Sequence, residues 1–234
     1  HPGWDDADVI EQSIKDLDSM LALLKIRADG KVLDLGCGAG NLSFWLEEKG
    51  LQVSGCDISE TAIEWAKEAA QDRGSSVAFR VEDATRALTY ASDSFDLVVD
   101  NHCLHCIIGD DREQYLKEVE RILKPGAFYL LSTMCSDSLH PIGIEGFDGQ
   151  SRCIIKRGIA IRYIGMPQHI IMEFNRRGLD IIHQETRGCD SDSKDLFVIA
   201  MANKRKPPLF WECPNPPSPV GSRNTILVST PGKV

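Results

Sequence analysis

Val32-Leu33-Asp34-Leu35-Gly36-Cys37-Gly38-Ala39-Gly40-Asn41 runs from an apolar strand through three alternating glycines, and the chain continues into Leu42, Phe44, Trp45 and Leu46. Glycine at every second position lets the backbone turn tightly and lie open to a ligand, because no Cβ stands in the way. An apolar strand that turns through glycines into a helix is the first half of a β-α-β unit. Reading outward in both directions extends that alternation.

Apolar, β-branched runs recur at Val53–Cys56, Val77–Val81, Phe95–Asp100 and Phe128–Met134, and none shows strict alternation of apolar and polar residues. That pattern predicts strands covered on both faces. Between them lie helical patterns: Asp8–Lys25, Glu60–Arg73 after Ser59 as a cap, Arg112–Leu123 after Asp110 or Asp111, and Pro167–Arg177. Gly74, Pro125-Gly126 and Gly178 supply the stops. Alternation of this kind predicts a doubly wound α/β fold on a mostly parallel sheet. Asp180–Thr186 and Leu196–Ala202 are separated by only Arg187–Asp195, so they form a hairpin. The expected sheet therefore has seven strands, with one C-terminal strand antiparallel to the rest. Residues 1–204 are read as the domain, with 135–165 an irregular insertion on the substrate side. Residues 205–234 hold seven of the eleven prolines without a sustained period, and are read as a tail outside it.

A chain of 234 residues accommodates one α/β domain with short appendages. Its 26 basic against 35 acidic residues give a net charge of −9, which argues against a broad nucleic-acid surface. No apolar run approaches the roughly 18–20 residues needed to cross a bilayer, so no membrane partner is expected. No signal-peptide pattern is visible, although the numbering begins at His1. The eight cysteines sit mostly in apparent core elements of a core-rich chain, which predicts a reduced, cytoplasmic protein rather than a disulfide scaffold. Nothing in the sequence fixes the oligomeric state.

Asp34 stands two residues before the first glycine. A carboxylate there suits a ligand with a cationic ammonium group better than a pyrophosphate, which it would repel. Asp57 ends the second strand, seventeen residues after Gly40, where a carboxylate can accept from two ribose hydroxyls. Glu82-Asp83-Ala84 follows the third strand, where a carboxylate can accept from an adenine amino group. Three acids at the carboxyl ends of three successive strands open on one crevice.

These stretches resemble the class I S-adenosylmethionine-dependent methyltransferases, the small-molecule members in particular. The resemblance covers Val9–Lys204 and rests on Asp34–Gly40, Asp57, Asp83–Ala84, Phe95–Asp100 and Arg121–Ala127. It implies S-adenosylmethionine as cofactor and S-adenosylhomocysteine as product. It implies further that Asp34, Gly36, Cys37, Gly38, Gly40 and Asn41 cradle the methionine part, that Asp57 holds the ribose, and that Asp83 and Ala84 meet the adenine. Ile58, Asp100 and Asn101 are counted with the same site. Ala127 departs from the family, which more often has glycine there. A dinucleotide oxidoreductase is the competing reading, disfavoured by Asp34, by Lys124-Pro125-Gly126 and by the terminal hairpin.

Methyl transfer from a sulfonium is an in-line displacement that alignment and desolvation can drive, with a base only where the acceptor loses a proton. The loop Asp100-Asn101-His102-Cys103-Leu104-His105-Cys106-Ile107 is where an acceptor meets the methyl group. His105 is read as a support of the loop, and either His102 or His105 as a base on an O–H, N–H or S–H acceptor. Cys103 and Cys106 lack a second cysteine pair, so no metal site is expected. Tyr163 is the third catalytic candidate, as a hydrogen-bonding partner of the acceptor. Trp4 is a possible lid residue, and Cys135, Asp137 and His140 follow the fifth strand. Arg152, Lys156, Arg157 and Arg162 make this segment locally basic, pointing to an anionic small-molecule acceptor. An RNA or protein methyltransferase lacks its basic, aromatic-rich module here. A non-catalytic binding protein is countered by the intact glycines and Asp57.

Overall fold

A computed structural model describes residues 7–138, 144–188 and 194–204. Trp4, His140 and the proline-rich stretch 205–234 lie outside the described residues. The chain order is α1 (Ala7–Leu21), β1 (Lys31–Leu35), α2 (Asn41–Glu48), β2 (Gln52–Asp57), α3 (Glu60–Arg73), β3 (Ala78–Val81), β4 (Phe95–Asn101), a 3-10 turn (Leu104–Cys106), α4 (Asp111–Ile122) and β5 (Leu123–Cys135). β6 (Phe147–Asp148), β7 (Cys153–Lys156), β8 (Ile159–Tyr163), α5 (Pro167–Arg176), β9 (Leu179–Arg187) and β10 (Lys194–Ala202) follow.

Seven strands form one sheet in the order β3-β2-β1-β4-β5-β10-β9. β10 pairs antiparallel with both β5 and β9, while the pairings among β1 to β5 are parallel. The hairpin thus leaves one antiparallel strand, as the sequence predicts. Strand order reverses between β1 and β4, the switch point at which such sheets open a crevice beyond the strand ends.

Alternate residues of β1 feed two cores. Leu33 and Leu35 pack with Tyr115, Leu116 and Val119 of α4 and with Ile170 and Phe174 of α5. Val32 packs with Leu17 and Met20 of α1, Leu42 and Phe44 of α2, and Ile63 and Ala66 of α3. Each large apolar side chain so buried contributes roughly 1.5–3 kcal/mol. The predicted stops are in place on α3: Ser59 Oγ accepts from the Ala62 amide at 3.2 Å, and Gly74 ends the helix at φ 64°.

The segment expected to be irregular is more ordered than its sequence indicated. β6, β7 and β8 form a separate three-stranded antiparallel sheet. Lys156 faces Ile159 across a two-residue turn in which Arg157 and Gly158 have φ of 52° and 77°, the left-handed pair that matches strand twist in a tight hairpin. The strands are two to five residues long and mostly half-buried, too short for their alternation to register. Among the described residues no helix is long and apolar enough to cross a membrane.

Candidate functional site

The glycine loop is required in its local detail. Gly36, Gly38 and Gly40 have φ of 81°, 52° and 86°, a region that costs an L-residue about 1–2 kcal/mol. A Cβ on Gly36 would stand 2.7 Å from Cβ of Cys103, and one on Gly40 would stand 2.7 Å from Cζ of Phe79. A Cβ on Gly38 would meet nothing within 4 Å. Gly38 therefore faces open space between two glycines that are packed shut.

Asp57 anchors this loop. Its Oδ2 accepts from the Gly38 amide and its Oδ1 from the Ser59 amide, both at 2.9 Å. Asp34 is buried at the end of β1 and accepts from Ser43 Oγ at 2.6 Å. Burial pushes its carboxyl up to about 7; Ser43 opposes the rise, and Asp100 and Asp57 add repulsion. A cationic ammonium nearby would restore its charge. Asp83 accepts from the amide and hydroxyl of Thr85 at 2.9 and 2.7 Å. Burial works against its charge, but Thr85 and Arg86 outweigh it and hold the carboxyl below its usual range. Ala84 packs on the core beside it. Ile58 is 69% exposed, a large apolar side chain on the rim next to Asp57. Cys37 is buried, and Asn41 opens α2.

At the end of β4 the structure revises one expectation. Asp100 is fully buried, and its carboxylate accepts from the Cys103 and Leu104 amides and from the hydroxyls of Tyr115 (2.6 Å) and Tyr129 (2.9 Å). Burial pushes this carboxyl above its usual range against those bonds. Its oxygens are committed to the loop, so Asp100 supports the site from beneath instead of facing a ligand. Asn101 is also engaged: its Nδ2 donates to Ser13 Oγ at 3.0 Å, which ties α1 to the strand end.

The two histidines separate. His105 is 3% exposed, and its Nδ1 accepts weakly from the Met134 amide at 3.5 Å. Burial pushes its imidazole down to about 3, with His102 the next cause. Burial thus makes it a weak base, sealed within the turn Leu104–Cys106. His102 has φ 68° and a side chain 29% exposed. Its Nε2 lies 3.3 Å from Ser132 Oγ and 4.0 Å from Asp195 Oδ2. Among the described residues no group of three or more metal-binding side chains forms, Cys103 and Cys106 included.

The small sheet closes over this turn through Arg112. Buried at the start of α4, it donates to the carbonyls of Leu104 and Ile107 at 2.7 and 3.1 Å and pairs with Glu173 through two bonds of 3.0 and 2.6 Å. Its guanidinium stacks on the Tyr163 ring at 4.6 Å. Burial raises the Tyr163 hydroxyl pKa. Arg152 spends its guanidinium on the carbonyls of Ile164, Ser138 and Ser136, and so shapes the insertion. Arg162 lies close enough to His105 and Cys106 to influence their ionisation. Sequence reasoning missed Arg112, Ser132 and Asp195. Arg112 could have been found as a charged residue continuing the buried 115–119–122 stripe, and Ser132 as a hydroxyl inside an apolar strand. Asp195 carried no signal, because only the β10 register brings it to the site.

Residues 33–131 match a family model described as a methyltransferase domain. Over that stretch the chain is similar to the class I S-adenosylmethionine-dependent methyltransferases. It is 29% identical to methyltransferase GfsG of Streptomyces halstedii over 68% of this chain and 56% of that protein. It is 34% identical to the 2-heptyl-1-hydroxyquinolin-4(1H)-one methyltransferase of Mycobacteroides abscessus over 45% of this chain and 46% of that one. The chain thus spans about half the length of these two relatives. A SAM-dependent methyltransferase structure from Methanosarcina mazei shares the fold at a TM-score of 0.69, with 24% identity over 79% of this chain and 97% of that one.

The cofactor of this family fits the residues present. Open space at Gly38, the Asp34 carboxyl with no ion-pair partner among the described residues, and the Asp57 carboxylate beside the loop would hold its amino-acid and ribose parts. In the loop after Asp83, the Tyr90 hydroxyl is buried with no hydrogen-bond partner among the described residues, so a polar ligand atom there would satisfy it.

Proposed function

We propose that this protein is an S-adenosylmethionine-dependent methyltransferase that moves a methyl group to a small-molecule acceptor by in-line displacement. The observation that carries the reading is the Gly38 cradle, open between two glycines packed shut and fastened to Asp57. When bound, the cofactor supplies an electrophilic methyl group on a sulfonium. The protein's own residues orient it: Asp34 toward the ammonium group, Asp57 and Ile58 at the ribose, and Asp83 and Ala84 at the adenine. Gly36, Cys37, Gly40 and Asn41 shape the cradle, and Asp100 and Asn101 hold its far wall.

The acceptor enters beside the turn Leu104–Cys106, under the small sheet. Arg162 there, together with Lys156 and Arg157 of the same hairpin, supports an anionic group on the acceptor. The compact insertion and the acidic whole-chain charge support a small molecule over RNA or protein. Calorimetry with S-adenosylhomocysteine tests the cofactor half, with micromolar binding expected. No binding at millimolar ligand would end the proposal. Methyl-labelled cofactor with a panel of hydroxylated and carboxylated aromatics tests the acceptor half. Label found only in RNA or protein would overturn it.

A further inference from the structure

We infer that His102 and Asp195, brought together by β4 and β10, form a proton-accepting pair, and that the acceptor therefore presents an O–H or N–H group for methylation. The inference rests on the methyl-transfer reading and adds the acceptor's chemistry to it.

His102 holds a left-handed backbone at φ 68°, a conformation uncommon outside glycine though better tolerated by histidine and asparagine than by most residues. Here its amide donates to the Ser132 carbonyl at 2.8 Å. The next residue, Cys103, packs on Gly36 of the glycine loop. This position therefore lies beside the cofactor cradle.

The ring is held on one edge. Nε2 lies 3.3 Å from Ser132 Oγ and 4.0 Å from Asp195 Oδ2, and in the proposed pair it is this nitrogen that carries the ring proton. Nδ1 has no partner among the described residues and remains for the acceptor. This is the logic of a base whose second nitrogen is fixed by a hydroxyl and backed by a carboxylate. Both side chains are reachable, at 29% and 40% exposure, whereas His105 packs edge-on against His102 at 5.4 Å and is sealed in. The ionisable groups around the pair are His105 and Cys106 from the turn, Asp16 from α1, Cys135 at the end of β5, Arg187 opposite Asp195 on β9, and Lys194 on β10. Asp16 is occupied by Arg187, and Lys194 by Asp137. No other described cation pairs with Asp195, which leaves it to answer His102.

The step balances. The acceptor's lone pair forms the bond to the methyl carbon, the electron pair of the breaking carbon–sulfur bond stays on sulfur, and the acceptor's proton passes to Nδ1 of His102. The resulting imidazolium sits beside the Asp195 carboxylate. His102 is the catalytic residue, and Asp195 a positioning residue that acts through it. An acceptor without a transferable proton would have no use for the pair.

Two variants of the full chain test this, His102→Asn, which tolerates a left-handed backbone, and the isosteric Asp195→Asn. In the cofactor-free protein, the Asp195 carboxyl titration followed by carbon-13 NMR is expected to move up by roughly half a unit to one unit in H102N, because the opposing cation is gone. An unmoved titration overturns the pair. With an acceptor from the labelled panel, H102N is expected to lose roughly a hundredfold or more in kcat. D195N is expected to lose roughly tenfold in kcat and to shift the acidic limb of kcat/KM to lower pH, with KM held. Wild-type kcat in H102N, or an unshifted limb in D195N, also overturns it. Both variants are expected to bind S-adenosylhomocysteine within about twofold of wild type. Loss of that binding in the wild type would instead sink the methyltransferase reading itself.

Discussion

The two halves of the crevice are built differently. On the cofactor side, β1, the glycine loop and the end of β2 bond to one another over short sequence distances: Gly38 to Asp57, Asp57 to Ser59, Ser43 to Asp34. On the acceptor side, His102 meets Asp195, Asn101 meets Ser13, and Arg112 meets Glu173, pairs separated by sixty to more than ninety positions. The first half is backbone held by backbone and acids. The second is side chains held by side chains, carried on elements that can change without disturbing the first.

That contrast can be broken most decisively at Gly36. Gly36→Val puts a β-branched side chain at φ 81° and into Cys103, with an expected cost of about 2 kcal/mol or more in stability. S-adenosylhomocysteine binding is expected to disappear in calorimetry, and retained affinity would show that the loop is not the cradle. Asp57→Ala removes the acceptor of two amides and should weaken that binding roughly tenfold to a hundredfold. Gly38→Ala sharpens the comparison further, because its Cβ meets only open space. Without ligand it should lower stability by only about 1 kcal/mol. A tenfold or greater loss of cofactor affinity would then mark the space as the ligand's own, and equal affinity would break the argument.

The smallest expected effect is a change of slope with pH. His105 has its imidazole pushed from 6.5 down to about 3 by burial. The folded state therefore binds fewer protons, and the stability at stake is present above about 6.5 and lost as pH falls toward 3. Asp34 is pushed from 3.8 up to about 7, so it works in the opposite sense: its penalty grows as pH rises from about 4 through 7. His105→Asn should flatten the acid side of a melting-temperature profile, and Asp34→Asn the neutral side. Parallel profiles in the variants and the wild type would remove both assignments.

Legibility followed the same division. The strands, the caps of α3 and the one antiparallel strand could be read because each is written in local periodicity or in a single stop residue. The cofactor side was readable as an ordered run of glycines and acids at strand ends. Asp100 misled because a strand-end acid looks the same whether it faces a ligand or two buried tyrosines, and Tyr115 and Tyr129 reach it only through packing. The insertion was opaque because four- and five-residue half-buried strands carry little pattern. Asp195 was opaque because its position depends on a register with β5 that nothing near it encodes.

The placement of β10 also bears on how the molecule is made. Among the described residues, the last strand of the sheet to be synthesised, β10, lies between β5 and β9, not at a border. A nascent chain halted before Ala202 would leave the β5 edge bare and β9 without its neighbour. Folding of this sheet on the ribosome therefore cannot finish until β10 has left the exit tunnel, and chains truncated before β10 should fail to fold.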